Sequence, residues 1–342
     1  MFNFSINKTL KPVSQSNILV EIDDLVRHIQ RVSNIHHLNL SKQENHQGLF
    51  DDEFYSEVLT AIPKYLSVYS PQHTYNEYVD SFWQGCIRVG LLTDSPLYTP
   101  HHYFDDIGIE RIIALVEWLT KTRAQFTFRL KIRNRMQETK QNNENLMTIA
   151  HSLRELCSKL LVIRVDFGYG EDRQHFIKID DVFRHIEFFA NKMNSNVFSH
   201  ELGRAFVIEQ AREKGYHVHA VFFFNGHKVQ NDWFKAKQIG DLWVSVAEGM
   251  GTYFNLHTKE AKREYIEEGL LGIGMILRKD DQTFKNLLVT LNYFAKPKKD
   301  YQYLRMKPAG ANHFYARIGE RKRKPRTSKQ KNKGEPKPSS IH

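Results

Sequence analysis

The chain has 342 residues, of which 41% are hydrophobic and 12% aromatic, and this composition supports a packed core and excludes a disordered protein. Its two cysteines exclude a disulfide framework. Apolar runs such as 270–277 (LLGIGMIL) are far shorter than the ~18–20 residues that cross a bilayer, and the start lacks the apolar segment of a signal peptide. We therefore expect a soluble, cytoplasmic protein with no membrane partner.

The first predicted region, residues 1–157, is mainly helical. Segments 17–32, 103–122 and 143–160 carry apolar residues at helical spacing. The segment 70–78 (SPQHTYNEY) has the composition of a loop. No motif in this region indicates a chemistry, so we predict a helical N-terminal domain of unknown role.

The pattern changes to that of a strand at residues 160–170 (LLVIRVDFGYG), where apolar residues alternate with others. Arg164 and Asp166 fall together on the face opposite the apolar one, and we name both as candidate DNA-binding residues. The later predicted elements are a helix at 178–195, strands at 204–212 and 216–224, and helices at 232–250 and 281–296. This order of elements predicts an α+β domain built on an antiparallel sheet.

The two strands at 204–212 and 216–224 are separated by EKG, and a three-residue hairpin loop favours a left-handed glycine, here Gly215. In that register Glu209 lies directly opposite His219, and His217 shares their face. Opposed Cβ atoms are about 4.5–5.5 Å apart, so the three side chains could share one ion. A slip of one residue would send Glu209 to the other face.

Two imidazoles and one carboxylate form a mixed nitrogen and oxygen ligand set that suits Mg²⁺, Mn²⁺ or another divalent first-row ion. An H-x-H pair alone is more often an ordinary part of a strand. The opposed Glu209 favours the metal, because a buried carboxylate beside two histidines needs a partner.

The predicted helix 281–296 places Tyr293 away from its apolar stripe, with Lys296 at i+3. A phenol has a pKa of about 10, so a nucleophilic tyrosine needs help from a metal or a cation. Tyr293 is therefore a candidate nucleophile and Lys296 its helper. The alternative is a tyrosine that packs at the edge of the core.

The net charge of +10 is concentrated in residues 317–342, which hold ten Lys and Arg against two acidic residues, a net +8 that leaves about +2 for the rest. The segment has almost no apolar residue, so we predict a disordered basic tail. It includes the consecutive basic residues Arg321, Lys322, Arg323 and Lys324. Such an arm can bind nucleic acid by releasing counterions from phosphates, and a solubilising tail is the alternative.

The H-x-H strand, the upstream Glu209 and the later Y-x-x-K helix resemble the HUH endonucleases, the rolling-circle replication initiators. Four segments, LLVIRVDFGYG, EKGYHVHAVFFFNG, IGDLW and LNYFAKPKKDY, more closely resemble the YagK/YfjJ family of inovirus-type prophage replication proteins. The resemblance covers about residues 158–316 and implies an RRM-like HUH nuclease domain there.

The resemblance also implies roles for single residues. His217 and His219 would bind the metal with Glu209 as third ligand, Tyr293 would be the nucleophile, and Lys296 would assist it. Tyr301 and Tyr303 lie near Tyr293 in the sequence and remain alternative nucleophiles.

The implied function is a replication initiator of a bacterial or phage-infected cell. It would nick single-stranded origin DNA by tyrosine attack, leaving a 5′-phosphotyrosine and a free 3′-OH, and a host helicase or polymerase would be a further partner. Two alternatives are a non-catalytic DNA-binding regulator of a phage or prophage element and a two-histidine phosphoesterase that acts on RNA. The second would need two separated H-x-[ST] motifs, and the sequence has a single H-x-H.

Overall fold

The computed structural model describes residues 13–39, 50–92, 106–192, 196–294 and 302–318. The helices are α1 (Gln15–Asn39), α2 (Asp52–Leu66), α3 (Glu77–Arg88), α4 (Asp106–Thr122), α5 (Phe126–Leu156), α6 (Ile179–Asn191), α7 (Asp232–Val246), α8 (Lys259–Glu267) and α9 (Asp281–Phe294). The strands are β1 (His73–Tyr75), β2 (Lys159–Tyr169), β3 (Glu201–Ala211), β4 (Gly215–Asn225), β5 (Gly251–Asn255), β6 (Gly274–Leu277), β7 (Met306–Pro308) and β8 (Phe314–Ile318).

Local capping explains where several helices begin. The side chains of Asn76, Asn231 and Thr258 accept hydrogen bonds from backbone N–H groups in the first turns of α3, α7 and α8. These are the residue types that satisfy the free donors of a helix start. Within the described ranges, no helix combines the length and the apolar character needed to cross a membrane.

Six strands form one antiparallel sheet in the order β5–β2–β4–β3–β8, with β6 pairing on β2 beyond the end of β5. The predicted α+β fold with an antiparallel sheet is therefore confirmed. The sequence patterns missed β5, β6 and β8, because strands of five, four and five residues are too short for a clear alternation.

A second, two-stranded sheet corrects the prediction of a loop at residues 70–78. There β1 pairs with β7, a segment more than two hundred residues later in the chain. Three residues give no periodicity to detect, and the hydrogen-bonding partner is remote in sequence. In the large sheet, the edge strand β8 continues to Ile318. The first two residues of the predicted basic tail, Arg317 and Ile318, therefore pair with β3.

One face of the large sheet packs against α1 and α7. Its apolar residues, among them Ile163, Val218 and Phe222, belong to the same buried cluster as residues of α1 to α4. The helical region and the sheet therefore share one continuous hydrophobic core. The aromatic run 222–224 is fully buried within the two cores of the sheet, as expected for a central strand.

The opposite face of the sheet is covered by α5 and α9. Val162, Val221 and Phe223 of the sheet pack there with Leu287 and Leu291 of α9. This apolar layer ends where the polar residues of β2, β3 and β4 begin on the same face. The end of α9 consequently lies beside these polar residues.

Candidate metal centre

The β3–β4 hairpin brings the three predicted ligands to one face. The hairpin closes with Ala211 opposite Gly215, and Gly215 adopts the predicted left-handed conformation with φ of 60°. Glu209 lies opposite His217, so the predicted pairing of Glu209 with His219 is wrong by two residues. The strands pair as far as Ala211, so the loop begins at Arg212, one residue before the predicted start at Glu213. Because side chains alternate along a strand, a shift of two residues leaves Glu209 on the same face of the sheet as His217 and His219.

The three side chains form a compact, buried cluster. Glu209, His217 and His219 are only 6–7% exposed. The carboxylate Oε2 of Glu209 lies 3.2 Å from Nε2 of His219 and 3.5 Å from Nε2 of His217. One ligand atom from each residue lies within 4.8 Å of the others.

These distances fit a shared divalent ion. Bonds of about 2.0–2.2 Å from one ion to nitrogen and oxygen place neighbouring ligand atoms about 3–3.5 Å apart. The observed spacings between Glu209 and the two imidazoles fall in that range. The group can therefore hold a metal ion, and three protein ligands leave positions open for water or a substrate oxygen.

Both imidazoles are oriented through their second nitrogen. Nδ1 of His217 donates to the backbone oxygen of Gly215 at 3.2 Å, and Nδ1 of His219 lies 2.7 Å from Oδ1 of Asp166. Each ring thereby turns Nε2 toward Glu209. Such contacts fix the tautomer and the orientation of a metal-binding histidine.

Asp166, which we named as a DNA-binding candidate, lies inside this cluster because β2 pairs with β4 and sets Asp166 opposite His219. Burial alone would raise the pKa of Asp166, but its contact with His219 and the charge of Arg164 outweigh burial and lower it. Burial would lower the pKa of His219, but Asp166 and Glu209 outweigh it and raise it. Asp166 thus supports His219 as an anion.

Arg164, the second candidate on this strand, is 8% exposed, and its Nε lies 3.5 Å from Oδ1 of Asp166. Its backbone N–H donates to Nε2 of His257 at 3.0 Å, and Nδ1 of His257 donates to Asp232. This histidine fills the gap on the edge of β2 between β5 and β6. No sequence pattern indicates the role of His257, because the gap exists only in the assembled sheet.

Tyr293 lies at the end of α9 and is 49% exposed. It lines a cavity of about 330 Å³ together with Arg164. The next residue, Phe294, is buried, and its ring centroid lies 6.1 Å from that of His219. The structure therefore brings the end of α9 against the cluster of Glu209, His217 and His219, with Tyr293 lining the same cavity as Arg164.

Tyr303, one of the alternative nucleophiles, is held elsewhere. Its hydroxyl donates to Asp23 at 2.5 Å and accepts from Arg27. Burial, followed by the charge of Asp23, raises its pKa far above the usual range. Tyr303 is thus a neutral, internally bonded side chain. Tyr301 lies outside the described residues, as does Lys296, and so do the tail residues Arg321, Lys322, Arg323 and Lys324.

His313 and Glu138 are two further polar residues near the cluster that the sequence did not indicate. The backbone oxygen of His313 accepts from the N–H of Ile208, next to Glu209, and its Nδ1 lies 3.9 Å from Glu138 of α5. Burial is the main cause that lowers the pKa of His313. These side chains come from distant parts of the chain, so no local motif could reveal them.

Comparisons with protein-family models, curated proteins and solved structures find no match for this chain. The interpretation of the site rests on its geometry and residue chemistry.

Proposed function

We propose that this protein is a metal-dependent HUH-type endonuclease that nicks and rejoins single-stranded DNA and acts as a replication initiator. The observation that carries the proposal is the position of Tyr293. This exposed tyrosine lies in the last turn of α9, whose final residue packs beside a buried two-histidine, one-carboxylate cluster. Tyrosine attack on a phosphodiester requires a metal site and an accessible phenol that can reach the same phosphate, and the contact of Phe294, the next residue, with His219 supports that arrangement.

The proposed reaction exchanges one ester for another. The phenolic oxygen of Tyr293 forms a bond to phosphorus and loses its proton, while the bond from phosphorus to the 3′ oxygen breaks and that oxygen gains a proton. The products are a 5′-phosphotyrosine and a free 3′-OH. Glu209, His217 and His219 would hold the divalent ion, Mg²⁺ or Mn²⁺, whose role is to neutralise charge on a non-bridging phosphate oxygen.

Residues around the ligands support the same function. Arg164 supplies a positive charge on the cavity wall beside Tyr293, which suits a phosphodiester substrate. Lys296 follows Tyr293 by three residues and is proposed as its helper, and the basic tail is proposed to bind DNA phosphates. The antiparallel sheet, with both histidines on its central strand β4, is compatible with the proposed RRM-like HUH arrangement.

The test is covalent capture of DNA. The full-length protein is incubated with Mn²⁺ and labelled single-stranded fragments tiled across the DNA that surrounds its gene, and the products are separated on a denaturing gel. We expect a protein–DNA adduct that requires the metal and disappears with EDTA. Absence of an adduct on every fragment would rule out the nickase proposal.

Two tyrosine variants identify the nucleophile. Tyr293→Phe is expected to abolish the adduct, since it removes the attacking oxygen and keeps the ring. Tyr315→Phe is the matched control, because Tyr315 is 44% exposed and lies on β8, outside the lining of the cavity beside Tyr293. The control should form the adduct at the rate of the wild type. An adduct that persists in Tyr293→Phe would move the assignment to another tyrosine.

A further inference from the structure

The cavity beside Tyr293 is small and has a mainly apolar and aromatic lining. It is about 330 Å³ in volume and lies between β2, α8 and α9. Its lining includes Arg164, Leu256, Tyr265, Leu270, Val289 and Tyr293. Small-ligand sites measure about 300–1,000 Å³, so this cavity suits one small group rather than a length of polymer.

The walls of the cavity are apolar or aromatic and partly open to solvent. Leu270 and Tyr265 are 45% and 44% exposed, and Val289 and Tyr293 are exposed as well. Large apolar side chains that are exposed together commonly mark a binding surface. Two tyrosine rings at one cavity also offer faces on which a flat ring can stack.

Arg164 provides the polar part of the cavity. Its side chain is about nine-tenths buried, and its Nε makes no hydrogen bond with any residue that the structure describes. The nearest carboxylate oxygen, on Asp166, is 3.5 Å away. Arg164 is the charged side chain of the cavity lining, and a guanidinium offers several N–H groups that can donate to an acceptor on a ligand.

We propose that this cavity binds a single unstacked nucleobase and that Arg164 donates hydrogen bonds to its carbonyl oxygen. The inference rests on the proposed binding of single-stranded DNA. A nucleobase is flat enough to stack on tyrosine. The guanidinium of arginine pairs with O6 and N7 of guanine, whereas adenine carries an amino group where guanine has O6. The cavity therefore favours guanine over adenine.

The position of the cavity indicates which nucleotide it holds. Tyr293 lines the cavity and is the proposed nucleophile, and Arg164 pairs with Asp166 beside His219. A base bound there belongs to a nucleotide next to the phosphate under attack. The cavity is thus a selectivity site for the position of the nick.

The experiment measures binding to two short strands. The full-length protein with Mn²⁺ is titrated into a fluorescein-labelled oligo-dA decamer and into the same decamer with one central dG, and fluorescence anisotropy gives the two Kd values. We expect the strand with dG to bind about tenfold more tightly, as a good arginine–guanine pair provides. Equal Kd values in the wild type would overturn the proposal.

Two tryptophan variants locate the effect. Leu270→Trp fills the cavity and should abolish the preference for dG. Ile266→Trp is the matched control, because Ile266 is 57% exposed on the same helix as Tyr265 and is outside the cavity lining, so the preference should persist. A preference for dG that survives Leu270→Trp would contradict the proposal.

Tyr293→Phe separates this inference from the proposed function. The variant keeps the aromatic ring in the cavity, so it should retain the preference for dG while it loses the covalent adduct. A protein that prefers dG but forms no adduct would support the cavity and refute the nickase. A protein that forms the adduct but shows no preference for dG would support the nickase and refute the nucleobase site.

Discussion

At the scale of single residues, the candidate metal centre depends on groups that would not themselves bind the ion. Nδ1 of His219 lies 2.7 Å from Asp166, and that of His217 donates to the oxygen of Gly215. The backbone contact is set by the hairpin turn and cannot be removed by a side-chain change. The contact of Asp166 with His219 can be removed, and it is therefore the one to test.

Asp166→Asn is expected to weaken the binding of Mn²⁺ by about 10–100-fold, the usual effect of removing a carboxylate that supports a metal-binding histidine. The amide has the same shape but no negative charge, so His219 becomes a weaker ligand. Isothermal titration with Mn²⁺ measures the change, and circular dichroism checks that the variant is folded.

Three further proteins calibrate that measurement. His219→Ala removes a ligand and should lose Mn²⁺ binding altogether. His227→Ala changes an exposed histidine that pairs with Ser158 and should bind Mn²⁺ like the wild type. Asp241→Asn changes a carboxylate that pairs with Lys237 on α7 and should also have no effect. An Asp166→Asn protein with the affinity of the wild type would show that Asp166 does not support the site.

At the scale of elements, the position of α9 decides whether Tyr293 reaches the cavity. The helix packs closely on the chain that precedes β6, and Gly272 is the point of contact. A Cβ atom on Gly272 would lie 2.4 Å from the backbone carbon and oxygen of Asn286 in α9. Backbone atoms cannot move aside as a flexible side chain can, so any larger residue there must displace the helix.

Gly272→Ala is expected to lower the free energy of unfolding by about 1–3 kcal/mol, the typical cost of overpacking. It should also slow adduct formation, because the displaced helix carries Tyr293. Urea denaturation measures the first effect and the denaturing gel the second. Gly168→Ala in β2 is the control, since its Cβ would meet only Oγ1 of Thr252 at 3.5 Å. Equal stability of the two variants would contradict the close packing of α9.

The sequence predicts which strands carry the candidate ligands better than it predicts which residues lie opposite each other in those strands. Alternation along a strand places His217 and His219 on one face, and the left-handed Gly215 identifies the hairpin that adds Glu209. These are local relations over a few residues. The register itself was wrong by two residues, because the sequence did not show where the loop began.

Contacts between distant segments could not be predicted. Asp166 meets His219 only because β2 pairs with β4, and no local pattern specifies which strands pair. The same holds for His313 beside Glu138 and for the short strand β1, whose partner β7 lies in the C-terminal region. The sequence therefore predicts the part of the candidate site that lies on one hairpin, Glu209, His217 and His219. It does not predict contacts that form only when distant strands pair, such as that of Asp166 with His219.

At the scale of the whole molecule, a buried ionic cluster ties the N-terminal helices to the C-terminal segment. Asp23 of α1 and Arg305 are both 0% exposed, and Nη2 of Arg305 lies 3.5 Å from Oδ2 of Asp23. The same carboxylate accepts from Asn76 at the start of α3 and from Tyr303. The backbone N–H of Arg305 donates to Gln210, the neighbour of Glu209. One carboxylate thus joins α1, the start of α3 and the C-terminal segment.

Asp23→Asn is expected to destabilise the protein by about 3–5 kcal/mol, because it leaves the buried guanidinium of Arg305 without its counter-charge. The adjacent Asp24 provides the matched control. It pairs with Arg212 at the surface, where the two side chains are 28% and 47% exposed. Asp24→Asn should therefore cost at most about 1 kcal/mol. Urea denaturation of both variants gives the comparison, and a similar loss in the two would mean that the helices and the C-terminal segment are held together by their apolar contacts and not by Asp23.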